Sequence, residues 1–383
     1  MTVAPEPRGP SRARRRLSTV RGLLHDGHAL SHFISGRFPA LGASAWAREL
    51  CYAANWRDIF PFGLRSGRRH AGHGQAHRYL VREPNTAGIG DQIVTSWSEA
   101  YVLAEHLGLS FVHAPFAASA LAEGVDWDRF LGFGVGELQL ADVLDRGSLR
   151  MVCVPPRQLT VGRAMRRRER LVHCIYPERD TLFHLGRAVY LNSPLDQGAR
   201  MPAVYRAKYE AARMLDPMPL GWRRDRIHIG LHVRRGADIA PLVRANTWEG
   251  QLRWLPSSYY RRILNALAPH LAGRAVVHIF TDGTAEDVRD LHVFPDTEPH
   301  VDQDARVTFH QMTQCDVFIT GTSAFALVAA KIGRGVKLIS RSWDRPDFRL
   351  YLPTTADWID LDSTTDVAAA VHRALHRSPP LPD

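Results

Sequence analysis

The stretch Ile229-Gly-Leu-His-Val-Arg-Arg-Gly-Ala-Asp238 decides the fold class of this 383-residue chain. Residues 226–233 predict a β-strand, because apolar side chains occupy every second position: Ile227, Ile229, Leu231 and Val233. The carboxyl end of that strand delivers four polar side chains, namely His232, Arg234, Arg235 and Asp238. Ligands of open α/β sheets bind at the carboxyl ends of strands, so these four residues are the first candidates for a binding site.

The two adjacent arginines indicate the chemistry of a possible ligand. Arg234 and Arg235 present planar forks of N–H donors that match phosphate oxygens. Such forks stabilise a diphosphate leaving group as its negative charge develops. The alternative is a strand end whose arginines are solvated or paired with carboxylates.

The first half of the chain predicts a βαβ unit. A strand at Tyr79–Val81 is followed by a Gly-rich turn over residues 85–92, a helix from Ile93 to Leu107 and a strand at Phe111-Val112. A later helix is predicted from Met201 to Leu215. Three further strands are predicted in between, at Met151–Val154, Leu171–Ile175 and Val189–Asn192.

Strands and helices also alternate after Pro217-Met-Pro219, a candidate linker. The strands are predicted at 226–233, Ala275–Thr281, Asp316–Thr320 and Val336–Ile339. The helices are predicted at Ser257–Leu271, Thr284–Leu291, Thr308–Cys315, Ser323–Ile332 and Ser363–His376. Two such halves predict an α/β protein with two Rossmann-like domains facing a central cleft, over residues 80–220 and 221–383.

The positive charge is concentrated before these domains. Residues 1–82 contain 14 Arg and four acidic residues, which accounts for the whole net charge of +10. Residues 1–20 are predicted to be a disordered basic arm, and residues 21–79 a helical N-terminal extension. The arm is either simply solvated or makes a peripheral contact with an anionic membrane; a nucleic-acid partner is not expected.

Cysteine usage and hydropathy bear on the compartment. The four cysteines are far apart and no CxxC pair occurs, so neither a zinc site nor a disulfide framework is indicated. No apolar run is long enough to span a membrane, and no signal-peptide pattern follows Arg14-Arg-Arg16. We therefore expect a cytoplasmic protein. The alternative is a cytoplasmic protein that the basic arm attaches peripherally to the membrane.

Four segments in a fixed order carry a family resemblance. They are Gly88-Ile-Gly90-Asp91-Gln92, the His232-x-Arg234-x-Gly236-x-Asp238 pattern, Phe280-Thr281-Asp282, and the run from Phe309 through Asp316 to Ser323-Ala324. This ordered set resembles the GT-B fucosyltransferase-like superfamily, which contains the α1,2-, α1,6- and protein O-fucosyltransferases. The matches span about residues 80–340.

The resemblance implies a GT-B fold and an inverting, metal-independent glycosyltransferase. It implies a nucleotide-diphosphate sugar as co-substrate, most commonly GDP-fucose, with no further cofactor, and a glycan, glycolipid, peptide or small molecule as acceptor. The donor-binding residues on this interpretation are Gly88, Gly90, His232, Arg234, Arg235, Thr281, Asp282, Thr322 and Ser323. No residue is assigned to a metal.

The chain departs from the family pattern in its first turn. Asp91 stands where the family has asparagine, and a carboxylate beside a diphosphate is repelled, so Asp91 is the first candidate for the general base. Asp238 is the second; its alternative role is to orient Arg234. ADP-heptose transferases resemble this chain in their Gly-x-Gly-Asp turn, and Thr308 replaces the acidic residue that reads guanine in several fucosyltransferases. A heptosyltransferase-like enzyme with another donor therefore stays open, as does a non-catalytic binder of nucleotides or anionic polymers.

Several of these residues also have ordinary structural interpretations. Ser323 precedes a predicted helix, where its position as N-cap would direct free N–H groups at a phosphate or merely cap the helix. Asp282 either pairs with a base or ribose edge or opens a turn, and His232 either contacts the nucleotide or packs in the strand. Asp126-Trp-Asp128 has the spacing of a metal-binding DxD motif, but its surroundings indicate a surface loop.

Overall fold

The computed structural model of the protein describes residues 76–82, 84, 87–117, 124–145, 150–153, 180–185, 197–236, 238–340, 357–361 and 366–377. The chain divides into two compact units, each assembled from separate stretches of sequence. The first contains Met1–Glu83, Ala104–Val112 and Leu140–Leu191. The second contains Pro84–Leu103, His113–Gln139 and Asn192–Asp383.

The first part of the chain is organised around parallel strands. Its elements are β1 (Arg78–Arg82), α1 (residues 89–107), β2 (Ser110–His113), α2 (Trp127–Leu131), β3 (Leu138–Gln139), α3 (Leu140–Leu144), β4 (Arg150–Cys153), β5 (Thr181–Leu185) and α4 (Gln197–Leu215). Strand β1 pairs in parallel with β2 on one side and with β5 on the other, and β5 pairs in parallel with β4. Strands of parallel sheets are usually covered on both faces, and Tyr79, Leu80 and Val81 are accordingly buried.

Helix α1 is continuous but changes its winding. It is α-helical over Ile89–Asp91, π-helical over Gln92–Trp97 and α-helical again over Ser98–Leu107. The sequence pattern predicts a start at Ile93, and that start is wrong, because the carbonyl of Gly88 already accepts a hydrogen bond from the Gln92 N–H at 3.1 Å. The helix therefore includes the second half of the Gly-rich turn. π-helical turns are rare in proteins, and those that occur are often located at functional sites.

The second part of the chain contains a six-stranded sheet. Its elements are β6 (Ile227–Val233), α5 (Ala240–Arg244), α6 (Trp248–Arg253), α7 (Ser257–Leu271), β7 (Ala275–Thr281), a 3₁₀ helix (Glu286–Leu291), β8 (Thr297–Val301), α8 (Ala305–Gln314), β9 (Val317–Thr320), α9 (Ala324–Ile332), β10 (Val336–Ser340), β11 (Trp358–Leu361) and α10 (Val367–Arg377). The strand order is β11-β10-β9-β6-β7-β8, and each neighbouring pair is parallel.

The alternation in β6 is what builds the core of this second sheet. Ile229, Leu231 and Val233 point to one face and join a buried cluster with Ile263 and Leu267 of α7. The other face of the same strand carries His228, Gly230 and His232, all buried. Burial on both faces is typical of a strand in a parallel sheet that is covered on both sides. β6 also lies in the interior of the sheet, with β9 and β7 as neighbours.

The predicted fold class, an α/β protein with two Rossmann-like parallel sheets, is confirmed. Within the second sheet the strand at 226–233 is confirmed to within a residue, and Ser257–Leu271 and Ala275–Thr281 have the predicted bounds. The division at residue 220 stays a prediction.

Other predicted elements differ from the structure. The α-helix predicted at Thr284–Leu291 is a 3₁₀ helix over Glu286–Leu291. Before it, the Asp287 carboxylate accepts both the N–H and the hydroxyl of Thr284 at 2.7 Å, as in a capping box. Four of the described strands, β3, β5, β8 and β11, are absent from the prediction. The last helix begins at Val367 rather than Ser363.

Some predictions fall on residues outside those described. They are the basic arm over residues 1–20, the helical extension up to residue 75, and the strands at Leu171–Ile175 and Val189–Asn192. Among the helices that are described, none combines the length and the apolar character needed to cross a membrane.

Candidate active site

The carboxyl ends of β6, β7 and β9 are neighbours in the second sheet, and the loops that follow them meet. A Cβ atom built on Gly321, in the loop after β9, would lie 3.6 Å from the carbonyl oxygen of His232 at the end of β6. The ring of Phe325, in the first turn of α9, lies 6.4 Å from the ring of His232. The structure thus brings together the His-x-Arg-x-Gly segment and the Thr-Ser turn that the sequence singles out.

Asp282 holds the loop after β6 in place. One oxygen of its carboxylate, Oδ1, accepts the backbone N–H groups of Arg235 at 2.7 Å and Gly236 at 2.8 Å. The other, Oδ2, lies 3.1 Å from Nε of Arg234. A side chain at Gly236 would press on this carboxylate, since a Cβ there would lie 2.7 Å from Cγ of Asp282. Because the carboxylate is occupied in this way, we assign Asp282 to positioning rather than to reading a base or ribose.

Arg234 is the arginine that faces outward at this site. Its guanidinium is ion-paired with Asp238 through Nη2 and with Asp282 through Nε, and its side chain is 18% exposed. The third nitrogen, Nη1, has no hydrogen bond or ion pair with the residues that the structure describes. Two carboxylates therefore fix the fork and leave one of its corners available to an anion. In this arrangement Asp238 orients Arg234, which is its alternative role to that of general base.

Arg235 does not share that role, and its assignment to donor binding is corrected. Its guanidinium donates to the backbone carbonyls of Arg234 at 2.7 Å and Leu255 at 2.8 Å. It also lies over the ring of Trp254, 4.3 Å from the ring centroid, and only 6% of the residue is exposed. Burial lowers the pKa of Arg235 from its usual value. Arg235 therefore ties the loop to the segment before α7.

Helix α9 begins with an N-terminus that no side chain caps. Ser323 is the N-cap residue, as predicted, but its hydroxyl makes no capping hydrogen bond; only its carbonyl is used, by the Leu327 N–H at 2.9 Å. The hydroxyl of Thr322 donates to the carbonyl of Leu252, so this predicted donor ligand is engaged with the protein. Uncapped N–H groups and the positive end of the helix dipole favour an anion at this position.

The N-terminus of α1 meets the N-terminus of α9. A Cβ atom on Gly90 would overlap the backbone nitrogen of Phe325 and would lie 2.6 Å from the carbonyl oxygen of Ala324, so only glycine allows this approach. Gly88, the N-cap of α1, has no side chain and so does not cap that helix either. Two helix N-termini that lie backbone to backbone place two positive dipole ends together, which is unfavourable unless negative charge lies between or beside them.

Asp91 is the acidic residue in the first turn of α1. It is half-buried, and its carbonyl accepts the hydroxyl of Thr95 at 2.7 Å. Asp91 is not the N-cap of α1, because Gly88 occupies that position. The carboxylate is carried by the residue after Gly90 and so belongs to the turn that contacts α9.

His232 is a buried polar residue between these elements. It is 7% exposed, and its Nδ1 atom has no hydrogen-bond partner among the described residues. Burial lowers the pKa of His232 to about 4, with Arg234 acting in the same direction and Asp282 against it. A neutral ring with an unused nitrogen suits a contact to a nucleotide. Thr281, also predicted here, is buried and its hydroxyl accepts the Gly283 N–H at 3.1 Å.

Gln92, the last residue of the Gly-rich motif, shapes the site although its position in the sequence indicates no role. Its amide nitrogen donates to the carbonyls of Ala87 and Ala117, both at 3.0 Å, and its amide oxygen accepts the Ala117 N–H at 2.8 Å. Gln92 is fully buried. It therefore joins the Gly-rich turn to the loop after β2.

The Asp126-Trp-Asp128 segment does not present a pair of metal ligands. Asp126 caps α2 by accepting the Arg129 N–H at 3.0 Å. Asp128 is bonded to the His113 ring at 2.7 Å and to the Phe116 N–H at 3.0 Å. Both carboxylates stabilise local structure, and the segment begins helix α2 with Trp127 buried instead of forming the expected surface loop.

Substitution of Gly90 by alanine is expected to destabilise the protein by about 1–3 kcal/mol, the usual cost of overpacking, and to abolish nucleotide binding. The reason is that the two helix N-termini must separate to admit the methyl group. Urea unfolding and nucleotide titration measure the two effects. Gly136→Ala is the comparison for binding: its φ of 71° strains an alanine and so lowers stability, but a Cβ there meets nothing within 4 Å and nucleotide affinity should be kept. Normal nucleotide affinity in Gly90→Ala would contradict the importance of the contact.

Acid is expected to destabilise the fold through His232. The unfolded residue binds a proton near pH 6.5, whereas the folded residue binds it only near pH 4. Between these values the unfolded state holds more protons, so stability is complete above pH 6.5 and falls as the pH falls towards 4, by up to about 1.4 kcal/mol per pH unit. Urea unfolding at pH 7 and pH 5 should show a smaller loss in His232→Gln than in the wild type. An equal loss in both would assign the acid sensitivity to other groups.

The chain is similar in structure to POFUT1 in complex with GDP, at 12% identity and a TM-score of 0.40, over 69% of this chain and 98% of that chain. It is also similar to NodZ alpha-1,6-fucosyltransferase soaked with GDP-fucose, at 17% identity and a TM-score of 0.35, over 67% and 93% of the two chains. A third similar structure is the fucosyltransferase NodZ from Bradyrhizobium, at 16% identity and a TM-score of 0.36, over 67% and 92%. Protein-family models and curated sequences give no match. The α1,6-fucosyltransferases are one of the classes that the ordered motifs resemble.

Proposed function

We propose that the protein is a glycosyltransferase that moves a sugar from a nucleotide-diphosphate donor to an acceptor hydroxyl. The observation that carries this proposal is the meeting of the uncapped N-termini of α1 and α9 at Gly90. With the oriented fork of Arg234 at the neighbouring strand end, it forms an anion site made of backbone dipoles and one guanidinium. A diphosphate has the charge and the number of oxygens to use all three.

The same groups suit the departure of a nucleoside diphosphate. As the bond from the sugar carbon to the phosphate oxygen breaks, negative charge grows on the departing phosphate. Arg234 and the helix N-termini stabilise that charge without needing to reorganise, because Asp238 and Asp282 already hold the guanidinium. Asp91 is the proposed general base, which takes the proton from the acceptor hydroxyl as that oxygen attacks the sugar carbon.

Fucose, carried by GDP, is the proposed sugar, since the ordered motifs resemble fucosyltransferases. The carboxylate that reads guanine in several of those enzymes is replaced by Thr308, whose hydroxyl lies 3.5 Å from the Gln303 side chain. The nucleotide base is therefore the part of the proposal that most needs a direct measurement.

A thermal-shift comparison of GDP, UDP, ADP and dTDP tests the donor. The preferred nucleotide, expected to be GDP, should raise Tm, because ligand at about 100 times its Kd adds about 2.7 kcal/mol to stability. Arg234→Lys should lose most of the shift. Arg289→Lys should keep it, because that exposed arginine pairs with Glu286 on the surface. If no nucleotide shifts Tm, the proposed function fails; if another nucleotide than GDP does, the donor changes and the class stands.

Turnover is expected to survive chelation by EDTA. The proposed diphosphate site uses an arginine and two helix N-termini, and the carboxylates of Asp126 and Asp128 are engaged with Arg129, His113 and Phe116. Sugar transfer measured with and without EDTA, and after Mg²⁺ or Mn²⁺ is added back, should give equal rates. Loss on chelation and recovery with either cation would require a metal-bound diphosphate instead.

A further inference from the structure

Three side chains at the β8 edge of the second sheet converge in a way that the proposed glycosyl transfer does not use. Nδ1 of His278 lies 3.0 Å from Nε2 of His300 and 3.2 Å from a carboxylate oxygen of Glu298. His278 is on β7, and the other two are on β8, which pairs with β7 in parallel. His278 is almost completely buried, while Glu298 is exposed. The cluster therefore opens to solvent on one side.

The hydrogen bonds behind the cluster determine where the protons lie. The carbonyl of Arg223 can only accept, so Nε2 of His228, 3.0 Å away, carries a proton. Nδ1 of a neutral His228 then accepts, and Nε2 of His278, 2.9 Å away, must donate to it. The remaining nitrogen of His278, Nδ1, is consequently a lone pair. It faces Nε2 of His300 and the Glu298 carboxylate, so the position between the three groups is filled either by a proton on His300 or by a cation.

The chemistry of the neutral rings agrees with this description. Burial lowers the pKa of His278 to about 3, and the neighbouring His300 and His228 act in the same direction. Burial also lowers the pKa of His300, with Glu298 acting against it. Neutral imidazoles are the form that coordinates a metal ion.

Packing holds the ligand atoms in place. The ring of Trp222 is stacked on the rings of His228 and His278, with centroids 4.4 and 4.3 Å apart and interplanar angles of 14° and 10°. The ring of His300 is stacked on Phe280 at 5.0 Å. Around a tetrahedral ion with bonds of 2.0–2.1 Å, donor atoms lie about 3.3 Å apart. The separations of 3.0 and 3.2 Å are close to that value.

We propose that His278, His300 and Glu298 form a binding site for a late first-row divalent cation, with Zn²⁺ as the best match. Two imidazole nitrogens and one carboxylate oxygen are ligands that such ions accept, with a water molecule in the fourth position. The hydrogen bond from His278 to His228 is the supporting contact that fixes the tautomer of a metal-bound histidine. The ion links β7 to β8 and so stabilises the edge of the sheet; it takes no part in the donor chemistry.

Zinc binding by the full-length chain tests this site. The comparison uses a His372→Ala, His376→Ala background, because those exposed residues, with ring nitrogens 3.1 Å apart on α10, form a second pair able to hold zinc. In that background, His300→Ala should bind one zinc fewer per chain than His292→Ala, which removes an exposed histidine outside the cluster. Glu298→Gln should bind zinc more weakly. Equal zinc stoichiometry in His300→Ala and His292→Ala would overturn the proposal.

A spectroscopic and a stability measurement separate coordination from a mere effect on folding. Co²⁺ in place of Zn²⁺ should give the visible absorption of a tetrahedral site, absent in His300→Ala and present in His292→Ala. Zn²⁺ at about 100 times its Kd should raise Tm by roughly 5 °C. Turnover at 25 °C should be the same with the zinc removed, so failure of this site leaves the glycosyltransferase proposal standing, and the reverse holds as well. Absence of both the Co²⁺ absorption and the Tm shift would assign the cluster to a hydrogen-bonded histidine chain only.

Discussion

Replacing Arg234 by lysine is expected to reduce turnover by about 10²–10³-fold while the protein remains folded, the loss usual for one transition-state donor. Lysine keeps the positive charge but offers a point charge instead of a planar fork. In this structure the fork has a further function, since Asp238 and Asp282 each hold a different nitrogen of the guanidinium. An ammonium group cannot satisfy both carboxylates and still direct a donor at the diphosphate.

The measurement is the rate of sugar transfer at saturating donor, with circular dichroism to confirm folding. Arg289→Lys is the matched control, because it replaces another arginine that is paired with an acidic side chain, Glu286, but lies on the surface. The control should keep the wild-type rate. Near-normal turnover in Arg234→Lys would remove Arg234 from the proposed mechanism and leave the helix N-termini as the whole of the phosphate site.

Replacing Asp91 by asparagine is expected to keep or improve nucleotide affinity and to cut turnover by about 10²–10⁴-fold, the range for a lost general base. Asparagine has the same shape but cannot take a proton. It also removes a negative charge from the turn that meets α9, so a bound diphosphate is repelled less. The two quantities therefore move in opposite directions, which a simple loss of structure does not produce.

Nucleotide titration and initial rates on the same preparation measure both quantities. Asp142→Asn serves as the control, since Asp142 is an exposed acidic residue in the first turn of α3. Full activity in Asp91→Asn would shift the role of base to Asp238. If the wild type binds the nucleotide and no sugar transfer by it is detected, the non-catalytic alternative is favoured.

The elements that were predictable from sequence are those whose own side chains decide them. Apolar residues recur at regular intervals in strand β6 and helix α7, and these intervals are visible without the fold. Strand β8 is different: it contains Pro299, and most of its side chains are exposed or half-buried, so no apolar period marks it. It is a strand because β7 pairs with it, a condition that the sequence of residues 297–301 does not contain.

The candidate site shows the same difference between what the local sequence decides and what distant partners decide. The motifs predict which residues stand at the strand ends, and His232, Arg234, Asp282 and Ser323 do stand there. The direction of each side chain depends on partners far away in sequence, and so Arg235 bonds to Leu255 and Thr322 to Leu252. The contact of Gly90 with α9 joins residues more than 200 positions apart and has no local signal beyond the presence of a glycine.

Strand β8 also bears on how the protein behaves at high concentration. The carbonyl of Asp296 and the N–H of Asp302 are hydrogen-bonded to β7. Because backbone groups alternate in direction along a strand, those of the even-numbered residues of β8 point towards β7 and those of Pro299 point towards the open edge. An edge that lacks an N–H at its centre, with the charged Glu298 beside it, is a poor template for another strand. The β8 edge is therefore a poor site for intermolecular sheet growth and for the aggregation that follows from it.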